Sequence, residues 1–200
     1  MTRTRIRDSR SSTQEERQFY MRTYPDGYQH TVWPDHVERV AASVKFIRTW
    51  VEEGGLIVDS IADLSCGDGT IPRELSLSLR AGRLVLGDIN RQEGLHIVGP
   101  LPDTLGSLTP GVDLYVCSET IEHMDDPDFL LQQLRMKSKY LFLSTPVSEP
   151  LHYGNAEHYW SWSVDDMSQM LVEADWSPVD HVVFVPASDQ TYTFQFWMCV

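Results

Sequence analysis

Positive charge is scarce in this chain. Sixteen lysines and arginines stand against 29 aspartates and glutamates, for a formal net charge of -13. A surface that acidic repels phosphate backbones, so nucleic acid is a poor default partner. Long apolar runs are missing too. None approaches the ~20 residues that a membrane span requires. The first residues lack the apolar core of a secretory signal, so a cytoplasmic protein with no membrane partner is expected. Cysteine is sparse and odd in number, with Cys66, Cys117 and Cys199 far apart. Each lies in or beside an apolar stretch. They read as buried free thiols in a reducing compartment, not as disulfides or a zinc knuckle. Internal repeats and low-complexity tracts are also absent.

What is present suits one globular unit. Two hundred residues, 42% of them apolar and 10% aromatic, suffice for a sizeable core. Residues 1–24 are polar and carry Arg3, Arg5, Arg7 and Arg10. They are expected to form a flexible arm, either a solvated tail or a tether for an anionic ligand. Residues 25–200 are expected to form a single domain. Its first stretch, "YPDGYQHTVWP", is turn-rich but holds Tyr28, His30 and Trp33. From Asp35 apolar residues recur at helical spacing (Val37, Val40, Ala41, Val44, Ile47, Val51) until Gly54 and Gly55 stop them.

Beyond Gly55 the rhythm alternates. "SIADLSC", "RLVLGD", "VDLYVCS" and "KYLFLSTP" read as strands. "TIPRELSLSLRAG", closed by Gly82, "DPDFLLQQLRM" and "SVDDMSQMLVEADW", capped by Ser163, read as helices. Alternation of this kind predicts a doubly wound α/β fold with a mostly parallel sheet. The last two strand-like segments, "PVDHVVFVP" and "QTYTFQFWMCV", are too close for a parallel crossover and must form an antiparallel hairpin. Only seven residues separate Asp88 from the apolar "HIV" at 96–98. That gap holds no helix, so this edge of the sheet should be reduced.

"DLSCGDG", residues 63–69, joins a strand to a helix. Gly67 and Gly69 permit close backbone approach to a ligand, and the helix start offers free N–H groups. The next strand ends in Asp88, placed to accept hydrogen bonds from a ribose diol. The nicotinamide fingerprint G-x-G-x-x-G is absent, because Pro72 stands three residues after Gly69. That argues against a dehydrogenase.

These segments, in this order over residues 35–200, resemble the class I S-adenosylmethionine-dependent methyltransferases, which are Rossmann-like. "IADLSCGDG" is similar to their first motif, "LVLGDI" to their second, and "VDLYVCSETIEHMDDPDFLLQQL" to their fourth-strand region. The resemblance implies a seven-stranded-type sheet, reduced around its second and third strands, and S-adenosyl-L-methionine as cofactor. It implies cofactor contacts from Asp63, Ser65, Gly67, Gly69, Asp88 and Ser118. The shortened link leaves adenine recognition open, with Asp103 as one candidate.

"SETIEHM" crowds Glu119, Glu122 and His123 directly after a strand. In a helical turn these three would share a face. Two carboxylates and an imidazole repel one another unless a cation lies between them. Followed by a later histidine, the pattern resembles that of two metal-dependent groups: ubiquinone-biosynthesis O-methyltransferases and small-RNA 3'-end 2'-O-methyltransferases. Carried over, the metal ligands are Glu119, Glu122, His123 and His158, with His152 as a rival. Oxygen and nitrogen ligands together suit Mg2+, Mn2+, Fe2+ or Zn2+. Without a metal, the group is a helix start, and His123 or His158 is the general base. Tyr153, Tyr159, Trp160 and Trp162, with Tyr28, His30 and Trp33, are candidates to wall a flat acceptor. The reading this favours is O-methylation of a small molecule. An RNA 3'-end 2'-O-methyltransferase and a catalytically silent binding subunit are the alternatives.

Overall fold

The computed structural model describes residues 4–8, 10, 12–30, 32–149, 155 and 157–200. Arg3, His152 and Tyr153 lie outside them. In chain order the elements are β1 (Thr4–Arg5), α1 (Thr13–Thr23), α2 (Pro34–Glu53), β2 (Ser60–Asp63), α3 (Thr70–Leu79), β3 (Arg83–Asp88), β4 (Ile97–Val98), α4 (Leu101–Thr104), β5 (Val112–Ser118), α5 (Pro127–Arg135), β6 (Ser138–Pro146), β7 (Trp160–Ser161), α6 (Val164–Glu173), β8 (Pro178–Phe184) and β9 (Phe194–Cys199).

Seven strands form one sheet in the order β4-β3-β2-β5-β6-β9-β8. The first five pair in parallel, and β9 pairs antiparallel with both β6 and β8. This is the doubly wound, mostly parallel sheet that the alternation predicts, closed by the antiparallel hairpin that the short last connection requires. The chain runs from β2 outward to β3 on one side, and later returns to place β5 on the other. The crevice at the carboxyl ends of β2 and β5 is therefore the switch point where ligands bind in open α/β sheets.

Alternation along each central strand divides the core between two faces. Leu114, Val116, Phe142, Phe196 and Met198 pack against α2 and α3 through Val44, Ile47, Ile71 and Leu75. Tyr115, Cys117, Leu141, Leu143 and Trp197 pack against α5 and α6 through Leu130, Leu134, Met167 and Met170. Apolar residues at both alternate positions are what burial on both faces demands. All three cysteines are buried and free.

Local signals act largely as read. Pro34 opens α2 at a position where its missing N–H costs nothing. Ser163 and Asp166 close a reciprocal capping box on α6. The edge after Asp88 is indeed reduced, with β4 only two residues long.

Two expectations need correction. Helix α3 ends at Leu79, where Arg80 takes the left-handed conformation (φ 57°), and not at Gly82. The segment expected to be a flexible arm carries α1, capped by Ser12 Oγ accepting from Glu15 N–H. Its β1 pairs with β7. Charge and aromatic groups hold it down. Arg5 pairs with Asp125 at 2.9 Å, and Tyr24 Oη donates to Glu157 Oε1 at 2.6 Å. No helix among the described residues is long and apolar enough to cross a membrane.

Phe142 is fully buried at the centre of the α2–α3 face. Phe142→Ala should cost about 3–5 kcal/mol, read as a lower urea midpoint with little change in slope.

Candidate active site

The turn after β2 takes its shape from two glycines with positive φ: Gly67 at 54° and Gly69 at 74°. Gly67 N–H donates to Asp88 Oδ2 at 2.9 Å, and Asn90 N–H donates to Asp88 Oδ1 at 2.9 Å. The Asp88 carboxylate thus ties the end of β3 to the glycine turn. Burial lifts its pKa above the ordinary carboxylate range. Beneath the turn, Asp63 Oδ1 accepts from Ser65 N–H at 3.0 Å. Burial, with the Asp88 charge adding, pushes the Asp63 carboxyl up to about 8.

These groups open onto a cavity of about 560 Å³ at the switch point, a size typical of small-molecule sites. Ser65, Gly67, Asp88 and Ser118 line it. Asp63 and Gly69 do not. Asp63 is buried under Ser65 and holds the turn from below, while Gly69 occupies the N-cap position of α3. Asp103 is exposed and is not part of the wall, which at that end is Ile89, Asn90, Pro100, Leu101 and Pro102.

Beyond β5 the chain departs from the expected helical turn. Glu119 sits at φ 49°, and only a single 3-10 turn, Ile121–His123, follows. Glu119 lines the same cavity as His123 and His158 but makes its own side-chain bond. Its Oε1 accepts from Ser144 Oγ at 2.8 Å, and Ser144 Oγ lies 2.9 Å from Ser118 Oγ. Glu122, His123 and His158 do converge, with one ligating atom from each lying within 4.8 Å of the others. Three of the four expected ligands therefore share one point, and Glu119 stands outside it.

That cluster is short of positive charge. Glu122 is 1% exposed. Its Oε2 accepts from Thr145 Oγ1 at 3.1 Å, and its Oε1 has no partner among the described residues. Burial, aided by the Glu119 charge, lifts its carboxyl to about 8. His123 Nε2 lies 3.9 Å from Glu122 Oε1. Its Nδ1 is 2.9 Å from the Glu157 carbonyl and 3.1 Å from Tyr20 Oη. Burial, with His158 adding, holds His123 down at about 3, so its ring is neutral. Burial opposes charge on His158 too, but its bond to Glu149 and the nearby carboxylates raise it overall.

Several residues of the site carry no motif. Arg39, 1% exposed on α2, donates from Nη1 to Ser118 Oγ at 2.7 Å, and its Nε has no partner among the described residues. A charge four residues before Ser43 and eight before Ile47, on the buried face of α2, was the available signal. Tyr20 and Tyr24, from the supposed arm, roof the cavity with Tyr28, His30 and Trp33. His30 is clamped through backbone N–H and Nδ1 to Asp68, at 2.9 and 2.7 Å. The second aromatic cluster behaves otherwise. Trp162 is buried in the α5–α6 core and stacks on Trp160, and Tyr159 turns to Arg10 and Glu16. None of these three lines the cavity.

No family model matches the sequence, and no curated protein does either. Solved structures match in fold. The 1,6-didemethyltoxoflavin-N1-methyltransferase of Burkholderia thailandensis, bound to 1,6-didemethyltoxoflavin and S-adenosylhomocysteine, superposes with a TM-score of 0.71 at 13% identity, covering 98% of this chain and 93% of that one. The N-methyltransferase NodS of Bradyrhizobium japonicum, with S-adenosylhomocysteine, gives 0.67 at 14% identity, over 94% and 97%. The magnesium protoporphyrin IX methyltransferase of Synechocystis, also with S-adenosylhomocysteine, gives 0.62 at 17% identity, over 94% of each chain.

The raised Asp63 carboxyl has a consequence for stability. Its folded pKa, about 8, lies above the ordinary 3.8, so between those values the unfolded chain loses a proton that the folded chain keeps. Stability from this group is fully present below about pH 4 and declines as pH rises towards 8. Asp63→Asn, which keeps an acceptor for Ser65, should flatten that decline when urea midpoints at pH 5 and pH 8 are compared.

Proposed function

We propose that this chain is an S-adenosylmethionine-dependent methyltransferase that methylates a hydroxyl oxygen of a small molecule, with a divalent cation held at Glu122, His123 and His158. The observation that carries the cofactor reading is the Gly67–Asp88 hydrogen bond at the mouth of a switch-point cavity. It sets the glycine backbone beside a carboxylate suited to a ribose diol. The fold shared with structures holding S-adenosylhomocysteine supports the same assignment.

The residues present fit the cofactor. Asp88 retains lone pairs for ribose hydroxyls. Arg39, buried and with a spare Nε, is a cation for the amino-acid carboxylate, and Ser118 shares that corner. Ile89 and residues 100–102 offer an apolar slot for the adenine. The cofactor supplies an electrophilic methyl group on a sulfonium centre.

The donor set fits a cation equally well. Glu122 Oε1, which accepts no hydrogen bond from the described residues, and two imidazoles converge in a largely buried place. A divalent cation supplies Lewis acidity that brings an acceptor hydroxyl's pKa towards neutrality. Oxygen and nitrogen donors suit Mg2+, Mn2+, Fe2+ or Zn2+. In a metal-free form of the proposal, neutral His123 takes the hydroxyl proton instead.

RNA is the weaker acceptor. The net charge of -13 opposes it, and Arg5 and Arg10 of the arm are engaged with Asp125 and Glu16.

Calorimetric titration with S-adenosylhomocysteine, with and without Mn2+, tests both halves. Binding of both is expected; no heat from the nucleoside ends the enzyme reading. Heat from it without Mn2+ uptake leaves the metal-free form. Glu122→Ala should abolish methyl transfer to vicinal diphenols while S-adenosylhomocysteine affinity stays within a few-fold. A collapse of that affinity would place Glu122 in the cofactor pocket instead.

Gly67→Ala should weaken S-adenosylhomocysteine binding about tenfold or more. A Cβ there would sit 3.2 Å from both His30 and Tyr28, at a left-handed φ.

A further inference from the structure

We propose that Glu149 is a positioning residue: it fixes the tautomer of His158 so that Nε2 presents its lone pair to the cation. The inference rests on the metal reading above and concerns a residue that no motif marks.

Glu149 follows β6 and has a side chain only 2% exposed. A carboxylate so deeply buried is costly unless paired. Among the described residues its carboxylate meets one partner, His158 Nδ1, through a short hydrogen bond. The backbone before it is tightly held. Val147 N–H donates to the Thr193 carbonyl at 2.7 Å, and Ser148 N–H to the Trp162 carbonyl at 2.8 Å. Ser148 itself lies at φ 48°, a left-handed conformation that costs a serine energy. The strained corner turns the chain so that Glu149 points inward beneath His158.

A carboxylate on one imidazole nitrogen keeps the hydrogen there and leaves the other nitrogen as donor of an electron pair. With the hydrogen on Nδ1, Nε2 is left as the base: without a cation it accepts from Asn155 Nδ2 at 3.1 Å, and a bound cation would take that lone pair in place of the amide. His123 shows the same logic from a different source. Its Nδ1 faces the Glu157 carbonyl at 2.9 Å, which leaves Nε2 towards Glu122. The two rings meet edge to face with centroids 4.9 Å apart. One ring is set by a backbone carbonyl and the other by a buried carboxylate, and both offer Nε2. A pairing made for stability alone has no need of this matched presentation.

The test is a Mn2+ titration of the full chain, wild type against Glu149→Gln, with Glu149→Ala as a second variant. Outer-shell carboxylates of this kind govern 10- to 100-fold in metal affinity, so a loss of about that size is expected in both variants. S-adenosylhomocysteine affinity should stay at the wild-type value in both variants, and in Glu149→Gln, which keeps the shape and an acceptor for Nδ1–H, so should the unfolding temperature. The 15N imidazole signals of His158 should lose their pure Nδ1–H signature. Wild-type Mn2+ affinity in both variants overturns the proposal. So does an equal loss of Mn2+ affinity, nucleoside affinity and thermal stability, which would mark Glu149 as structural. A wild-type chain that takes up no Mn2+ sinks the metal reading and this inference together, whereas wild-type uptake with unaltered variants sinks this inference alone.

Discussion

A single hydrogen bond organises the candidate site: the one that Gly67 N–H donates to Asp88 Oδ2. It joins the turn leaving β2 to the tip of β3, so the two strands end in one corner. The turn can reach Asp88 only because Gly67 occupies a left-handed conformation that side chains resist. The carboxylate in turn can be buried only because backbone N–H groups of Gly67 and Asn90 meet it. Each half makes the other tolerable. The cavity is what remains between this corner and the end of β5.

That corner sets the electrostatics of everything around it. Asp63, Asp88 and Glu122 are buried near the cavity and Glu119 is half-buried there, and desolvation raises the pKa of each. Arg39 is the buried cation facing them, and it reaches Glu119 through Ser118 and Ser144. Under the proposed function this imbalance has a use: both a sulfonium and a divalent cation bring the charge that the carboxylates lack.

The sheet was legible in the sequence because burial on two faces writes itself as unbroken apolar runs, as in "LYVC" and "YLFL". The hairpin and the trimmed edge followed from connection length alone. The site was legible in part. Gly67 and Asp88 announce themselves, since strand ends and glycines mark them. The helical turn expected at Glu119 does not form, because a glutamate gives no warning that its backbone will turn left-handed. Helix α1 was missed because none of its described side chains is fully buried. Its hold on the domain is polar and aromatic, so it shows no apolar period. Arg39 and Glu149 were missed for another reason: their partners are 79 and nine residues away and are brought near only by the fold.

Helix α1 has one more consequence. It is a ceiling fastened by polar pegs: Tyr20 to His123, Tyr24 to Glu157, and Glu16 to Tyr159. Such pegs are worth about 1–3 kcal/mol net apiece, the upper end for those to the glutamates, because water can replace either partner. Under the proposed function the cavity is thus walled on one side by a segment outside both apolar cores, so substitutions at Glu16, Tyr20 or Tyr24 alter the wall without touching the sheet packing.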